Sequence, residues 1–270
     1  MEQVLTIAGS DSGCGAGIQA DIKSFAAAGT FGTSVITSIT AQNTKGVADI
    51  FDLPLSIIES QIDAVFDDFD IKCVKTGMLS NTEIIELVVA KLNEYPVNNL
   101  VVDPVMVAKG GSRLLQKSAV SCIISELIPL ATVITPNIEE AEFILNMTID
   151  NESSMLKAAY KLLEMGSEYV LLKGGHLKNT EAVDVLVGEN MEKRYALARI
   201  DTENTHGTGC TYASSIAAYL AKGYDIDRAV HISKRFVTGT IENSKNLGIG
   251  SGHGPLNHFY FSEGFDSAIR

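Results

Sequence analysis

The chain has 270 residues, 46% of them hydrophobic, and a formal charge of −12 at pH 7. That is enough chain to bury a substantial core, as one large α/β domain or two small ones. The acidic balance argues against non-specific nucleic-acid binding and against docking on an anionic membrane surface, but a local backbone cradle still binds phosphate under a negative net charge.

In chain order, residues 3–8 form an apolar run that reads as a buried strand, ending in Gly9-Ser10-Asp11-Ser12-Gly13-Cys14-Gly15-Ala16-Gly17. Residues 18–28 show helical spacing and Gly29 stops them; 33–41 are rich in β-branched residues and read as a strand leading to Gln42-Asn43-Thr44. A further short strand is expected at 47–52, and Pro54 begins a helix with apolar Ile57, Ile58, Ile62, Val65 and Phe66. Then come a strand at 71–75, the loop Thr76-Gly77-Met78, a helix capped by Asn81 and running to about residue 93, and a strand at 99–102 stopped by Asp103-Pro104. Lys109-Gly110-Gly111-Ser112 reads as a flexible loop, 118–128 as a helix, and 131–135 as a strand stopped by Pro136-Asn137. Helices at 139–145 and 153–165 precede a strand at 169–173, which Gly174-Gly175-His176 ends. Residues 183–187 and 194–198 flank Gly188-Glu189-Asn190 as a hairpin. Helices at 212–222 and 226–243 complete the pattern, and the glycine-bearing tail at 248–254 reads as a mobile turn.

Strand, crossover helix, strand is the grammar of a mostly parallel sheet with helices on both faces. No linker, low-complexity tract or repeat divides residues 1–270, so a single domain is expected. Cys14, Cys73, Cys122 and Cys210 are scattered, without C-x-x-C or zinc spacing, which fits a reducing, cytoplasmic compartment. Residues 4–8 are too short for a signal or spanning segment, and no apolar run elsewhere reaches spanning length.

In open α/β sheets ligands sit beyond the carboxyl ends of the strands. The unusual residues fall in those loops, at 9–17, 42–44, 76–78, 103–111, 136–140, 173–176 and 205–211. In Thr205-His206-Gly207-Thr208-Gly209-Cys210-Thr211, two glycines let backbone N–H groups converge, and the helix start adds unpaired donors. This reads as an anion cradle, or as a glycine-bearing loop that merely turns the chain, and Cys210 in the first helical turn is where a thiol pKa is usually lowered.

Gly13, Gly15 and Gly17 do not match G-x-G-x-x-G, and no acidic ribose partner follows, which argues against a dinucleotide site. Asp21 lies one turn into the next helix, either near a small-molecule substrate or simply exposed. The amide of Gln42 can read a heterocycle edge, or stand in water. Asp103 ends a strand, where a carboxylate holds a cation near phosphates. Asn137 and Glu140 have capping-box spacing, and the same pair can hold Mg²⁺ through water. Lys173 is a strand terminus or a phosphate ligand, and Gly174-Gly175 favours the second. His176 and His206 read as hydrogen-bonded bystanders. Together these groups describe phosphoryl transfer from a nucleotide to a small molecule, without a Walker A motif or the H-R-D and D-F-G pair.

The stretch Ala8-Gly9-Ser10-Asp11-Ser12-Gly13-Cys14-Gly15-Ala16-Gly17-Ile18-Gln19-Ala20-Asp21 resembles the N-terminal signature of hydroxymethylpyrimidine and phosphomethylpyrimidine kinases of thiamine biosynthesis. So do residues 38–44, Lys75-Thr76-Gly77-Met78-Leu79, Asp103-Pro104-Val105-Met106, Thr135-Pro136-Asn137, Lys173-Gly174-Gly175-His176 and residues 204–211, in the same order. The resemblance implies a ribokinase-like three-layer α/β/α fold, with ATP as phosphate donor and Mg²⁺. It implies two phosphorylations of 4-amino-5-hydroxymethyl-2-methylpyrimidine, on the hydroxymethyl group and then on the resulting phosphate. Carried over by position, Gln42 is the pyrimidine reader, with Gly9, Asp21, Met78 and Val105 completing that pocket. Asp103, Asn137, Glu140 and Lys173 form the ATP–Mg²⁺ side, with Thr208 also on ATP. Gly207, Thr208, Gly209 and Cys210 form the anion hole, Cys210 standing where the wider superfamily often has an aspartate base. A cytoplasmic homodimer is implied as well. Cys14 departs from the glycine common at that position, and either tightens the pocket or points to solvent. The alternatives are a pyridoxal kinase of the same branch and a non-catalytic pyrimidine-binding protein.

Overall fold

The structure, a computed structural model, describes residues 1–106, 117–175, 177 and 180–262. The first half contains β1 (Gln3–Asp11), α1 (Gly17–Ala27), β2 (Phe31–Asn43), β3 (Gly46–Asp52), α2 (Leu55–Asp68), β4 (Ile71–Thr76), α3 (Thr82–Glu94) and β5 (Leu100–Val102). Then come α4 (Lys117–Cys122), β6 (Val133–Ile134), α5 (Ile138–Leu145), α6 (Glu152–Leu163), β7 (Tyr169–Lys173), β8 (Glu181–Gly188), β9 (Met191–Ala198), α7 (Thr208–Ala221) and α8 (Ile226–Glu242). The loop expected at 109–112 and His176 lie outside the described residues.

The strands form one nine-stranded sheet in the order β3-β2-β1-β4-β5-β6-β7-β8-β9. From β2 through β7 neighbours are parallel. β3 runs antiparallel along one edge, and β8 and β9 run antiparallel at the other. The order reverses about β1, whose neighbours β2 and β4 leave in opposite directions, and that is where such sheets open a ligand crevice.

Strand alternation divides the core in two. Leu5, Ile7, Val74, Val102, Ile134, Val170 and Leu172 face the layer containing α2, α3 and α6. Val4, Cys73, Val101, Val133 and Leu171 face the layer containing α1, α7 and α8. Each burial removes apolar surface from water at about 25 cal/mol per Å², so the two-sided apolar strands hold both layers.

Three expectations change. The helix at 118–128 is regular only in α4; Ile123–Leu127 adopts π geometry, and the turn Ile128–Leu130 ends it at Pro129, which lacks a donor. The helix expected from 212 begins at Thr208, because packing of α7 on the sheet overrides the poor propensity of its first turn. The tail at 248–254 is docked: the amides of Ser251 and Gly252 meet Thr44 Oγ1 at 3.3 and 3.2 Å, and His253 N–H donates to Thr44 O at 2.8 Å.

Candidate active site

The site is built on a buried polar floor. Thr6 and Lys75 are partners across β1 and β4 and face the α1/α7 layer. Asp21, on α1, has no exposed surface; its Oδ2 accepts from Thr6 Oγ1 at 2.6 Å and Lys75 Nζ at 3.0 Å, and its Oδ1 from Ser214 Oγ at 2.6 Å. Asp21 is therefore not exposed on the helix but buried in this floor. Its partners explain the burial: an unpaired carboxylate would not tolerate this depth.

Cys210 sits one helical turn before Ser214 on the same face of α7. The residue is half-buried, and its thiol interacts with Lys75, Asp21 and Asp103. Burial pushes it up to about 12, while Lys75 and the Gly17 amide pull it down against Asp21 and Asp103. The expected low thiol pKa is thus reversed in the free protein: desolvation outweighs the helix start.

Gly207 enters α7 with φ of +82° and no side-chain hydrogen bond caps the helix; Thr208 N–H turns back to Thr205 O at 3.3 Å, so the donors left for an anion in this turn are the amides beside it. A Cβ built on Gly209 would lie 3.4 Å from Lys173 Nζ and 3.6 Å from Asp103 Oδ2. The lysine and the carboxylate therefore meet the helix start. Asp103 Oδ1 accepts from Lys173 Nζ and Thr135 Oγ1, both at 3.0 Å. Burial lowers the Lys173 pKa, but Asp103 and Glu140 outweigh it and leave the ammonium above its ordinary value.

Asn137 and Glu140 form the capping box, with Asn137 N–H donating to Glu140 Oε2 at 2.8 Å and Glu140 N–H to Asn137 Oδ1 at 2.9 Å. Glu140 is also buried, and burial pushes its carboxyl up to about 7 against the pull of Lys173, with Asp103 adding to the rise. Among the described residues no group of three His, Cys, Asp or Glu side chains could hold a metal ion. Two carboxylates with Asp103 Oδ2 turned to the helix start do fit Mg²⁺ held through water and phosphate oxygens, since Mg²⁺ takes few protein ligands.

On the other side, Gly9 lies against Met78, where a Cβ would stand 2.6 Å from Met78 Cε. Val105 is half-buried, its N–H donating to Asp103 O at 2.8 Å. Gln42 is half-buried at the end of β2, and its backbone N–H donates to Ser12 Oγ at 2.8 Å. Its side-chain Oε1 accepts from Thr40 Oγ1 at 3.0 Å, and its Nε2 lies 3.4 Å from His206 Nε2. His206 is buried and paired with Asp11 at 2.8 Å, which is more than a bystander's setting. Sequence reasoning missed Asp11, although an aspartate opening a glycine-rich loop is placed to accept the loop's amides.

A family model described as phosphomethylpyrimidine kinase matches residues 11–257. The chain belongs to the phosphomethylpyrimidine kinase family. A hydroxymethylpyrimidine/phosphomethylpyrimidine kinase of Haemophilus influenzae is 49% identical over 266 residues, covering 97% of this chain and 98% of that protein. A thiamine biosynthesis bifunctional protein of Geobacter sulfurreducens is 49% identical over 260 residues, and the match spans 96% of this chain but 53% of that longer protein. The crystal structure of a phosphomethylpyrimidine kinase from Clostridium difficile has a TM-score of 0.79 at 50% identity, covering 88% of this chain and 98% of that one. An ADP complex of Bacillus subtilis pyridoxal kinase has a TM-score of 0.90 at 37% identity, covering 98% and 100%. The family's ribokinase-like α/β fold is the one expected. No helix among the described residues is long and apolar enough to cross a membrane.

Proposed function

We propose that this chain transfers the γ-phosphoryl group of ATP to 4-amino-5-hydroxymethyl-2-methylpyrimidine, and then a second to the monophosphate, giving the diphosphate used in thiamine biosynthesis. The observation that carries this reading is Gly209: its bare Cα brings the start of α7 within reach of Lys173 and Asp103. Amides, a cation and a carboxylate converge there as phosphoryl transfer requires.

Gln42 reads the pyrimidine edge, with Gly9, Met78 and Val105 shaping its slot and Asp21 acting from beneath. The amides from Gly207 to Cys210 hold the moving phosphoryl group, and Lys173 neutralises its charge. Thr208 and Asn137 complete the ATP side. Asp103 and Glu140 would hold Mg²⁺ through water, and the ion would supply charge neutralisation on the phosphate oxygens. In the first transfer the hydroxymethyl oxygen bonds to the γ-phosphorus and the bond to ADP breaks. The hydroxyl proton passes to the Cys210 thiolate, a minor form that Lys75 and the Gly17 amide favour. Residues 1–270 act as one kinase domain, in the cytoplasm, as a homodimer; one sheet runs from β1 to β9, and α1 and α7 pack on the same face of it.

A second reading, pyridoxal phosphorylation, is favoured by the Bacillus subtilis pyridoxal kinase match over 98% of this chain. Purified protein with Mg²⁺ and ATP should be given the pyrimidine and pyridoxal side by side. Successive mono- and diphosphate formation from the pyrimidine, with the higher kcat/KM, is expected. A higher kcat/KM on pyridoxal would move the assignment, and tight pyrimidine binding without turnover would make this a binding protein.

A further inference from the structure

Asp11 organises the first glycine loop through its own side chain. Oδ1 accepts from the Gly13 amide at 2.8 Å, and Oδ2 from the amides of Gly15 at 3.0 Å and Ala16 at 2.8 Å. His206 Nε2 is a further partner, 2.8 Å from Oδ2. Burial raises the Asp11 pKa, but the bonds from His206, Ala16 and Gly13 outweigh it and hold the carboxyl below its ordinary value. Asp11 is therefore an acceptor only, and His206 Nε2 carries the proton between them. The ring cannot swing aside: it packs on Gly15, where any Cβ would collide with it, and its backbone N–H donates to Gly254 O at 3.1 Å.

This leaves Nε2 no lone pair for Gln42, whose amide lies 3.4 Å away. The amide as placed sets its Nε2 against that N–H, two donors face to face, so the hydrogen-bond network assigns it turned end for end, with the carbonyl toward His206. The NH₂ end then takes the position 3.0 Å from Thr40 Oγ1 where Oε1 is placed. Thr40 Oγ1 has two acceptors at 3.0 Å, Ser10 O and Gln42 Oε1, for one proton; with the amide turned, the proton goes to Ser10 O and Oγ1 accepts from the NH₂. With that arrangement each donor has its acceptor.

We propose that Asp11 and His206, with Thr40, are positioning residues that fix which way the Gln42 amide points, and so select an amino-substituted pyrimidine over its oxo counterpart. The inference rests on the reading of Gln42 as the pyrimidine reader. An exocyclic amine beside a ring nitrogen offers a donor next to an acceptor; the oxo form with a ring N–H offers the reverse. A glutamine free to turn bonds bidentately to either. Held with its carbonyl on the His206 side, it takes the exocyclic amine on that side and the ring nitrogen on the Thr40 side. An oxo ring can satisfy the fixed amide only by turning over, which carries its neighbouring hydroxymethyl group away from Cys210.

The test is kcat/KM for 5-hydroxymethyl-2-methylpyrimidines bearing either the amine or the oxo group, in wild type, His206→Ala, Thr40→Val and Gln42→Ala. Wild type should prefer the amine by roughly a hundredfold, the scale of a bidentate amide pair. His206→Ala and Thr40→Val should each lower that ratio by about tenfold with KM for ATP unchanged, since each frees one end of the amide. Turnover lost equally on both substrates, with the ratio kept, would overturn the proposal. Gln42→Ala separates the two layers. If it leaves both the ratio and the pyrimidine KM unchanged, the reader assignment itself fails. If it erases the ratio while His206→Ala and Thr40→Val keep it, Gln42 remains the reader and the positioning proposal falls. Should His206→Ala not fold, Thr40→Val decides, as it replaces one hydroxyl by one methyl outside the anion loop.

Discussion

Cys210 and Cys14 show how much a thiol depends on where it stands. Cys210 lies over the buried Asp21–Lys75 pair, and burial holds its pKa near 12. Cys14 is exposed, at a φ of +58° that glycine would adopt more easily. It points to solvent rather than tightening the pocket. Alkylation of the free protein at pH 8 should therefore modify Cys14 well before Cys210, which peptide mass spectrometry resolves; equal rates would contradict the burial of Cys210. Cys210→Ala should slow the first phosphorylation by more than about a hundredfold, the scale of general-base catalysis. The second transfer starts from a phosphate oxygen that is already ionised, so it should fall far less. An equal loss in both steps, measured by single-turnover product analysis, would assign Cys210 to packing.

At the scale of elements, the start of α7 depends on two glycines for different reasons. Gly207 has φ of +82°, and a Cβ there would strike the Gly15 carbonyl, so the two glycine loops approach only without a side chain. Gly207→Ala should cost about 1–3 kcal/mol of stability, the range for a strained backbone site, and should lose turnover. Gly209 is helical, and its Cβ would meet Lys173 Nζ at an ordinary 3.4 Å. Gly209→Ala should therefore keep or gain stability by up to about 1 kcal/mol through helix propensity, yet lose turnover because a methyl fills the anion cradle. Urea denaturation beside kcat distinguishes the two. The docked tail ties these loops together, as Thr44, Asn204 and His206 all hydrogen-bond residues of 251–254.

Across the whole molecule, the ends of β5 and β7 and the start of α5 bring Asp103, Lys173 and Glu140 together. Glu140 has a folded pKa of about 7, above its ordinary 4.5. The unfolded chain thus loses this proton first, and the stability due to protonated Glu140, fully present below its ordinary pKa, is lost as pH rises through about 7. Without Mg²⁺, the denaturation midpoint of wild type relative to Glu140→Gln should fall between pH 5 and 8. A difference that stays flat would mean that Glu140 is ionised throughout.

Local pattern made the parallel sheet, most helices and the glycine-rich anion loop legible, because strand alternation, capping residues and missing Cβ atoms act over a few residues. Asn81 does cap its helix, and Lys173 does end its strand. What the string could not show was depth and pairing. Asp21 is buried because Thr6, Lys75 and Ser214 come from three other elements, one of them 193 residues away. Asp11 and His206, 195 residues apart, meet only when the first and last site loops fold over each other. The amino-acid sequence by itself determined the family, the layered architecture and the residue types available at the strand ends. Only the tertiary structure decided their electrostatics, because desolvation and hydrogen-bond partners are properties of the packed interior: they raise the Cys210 thiol, bury Asp21 and turn His206 toward Gln42.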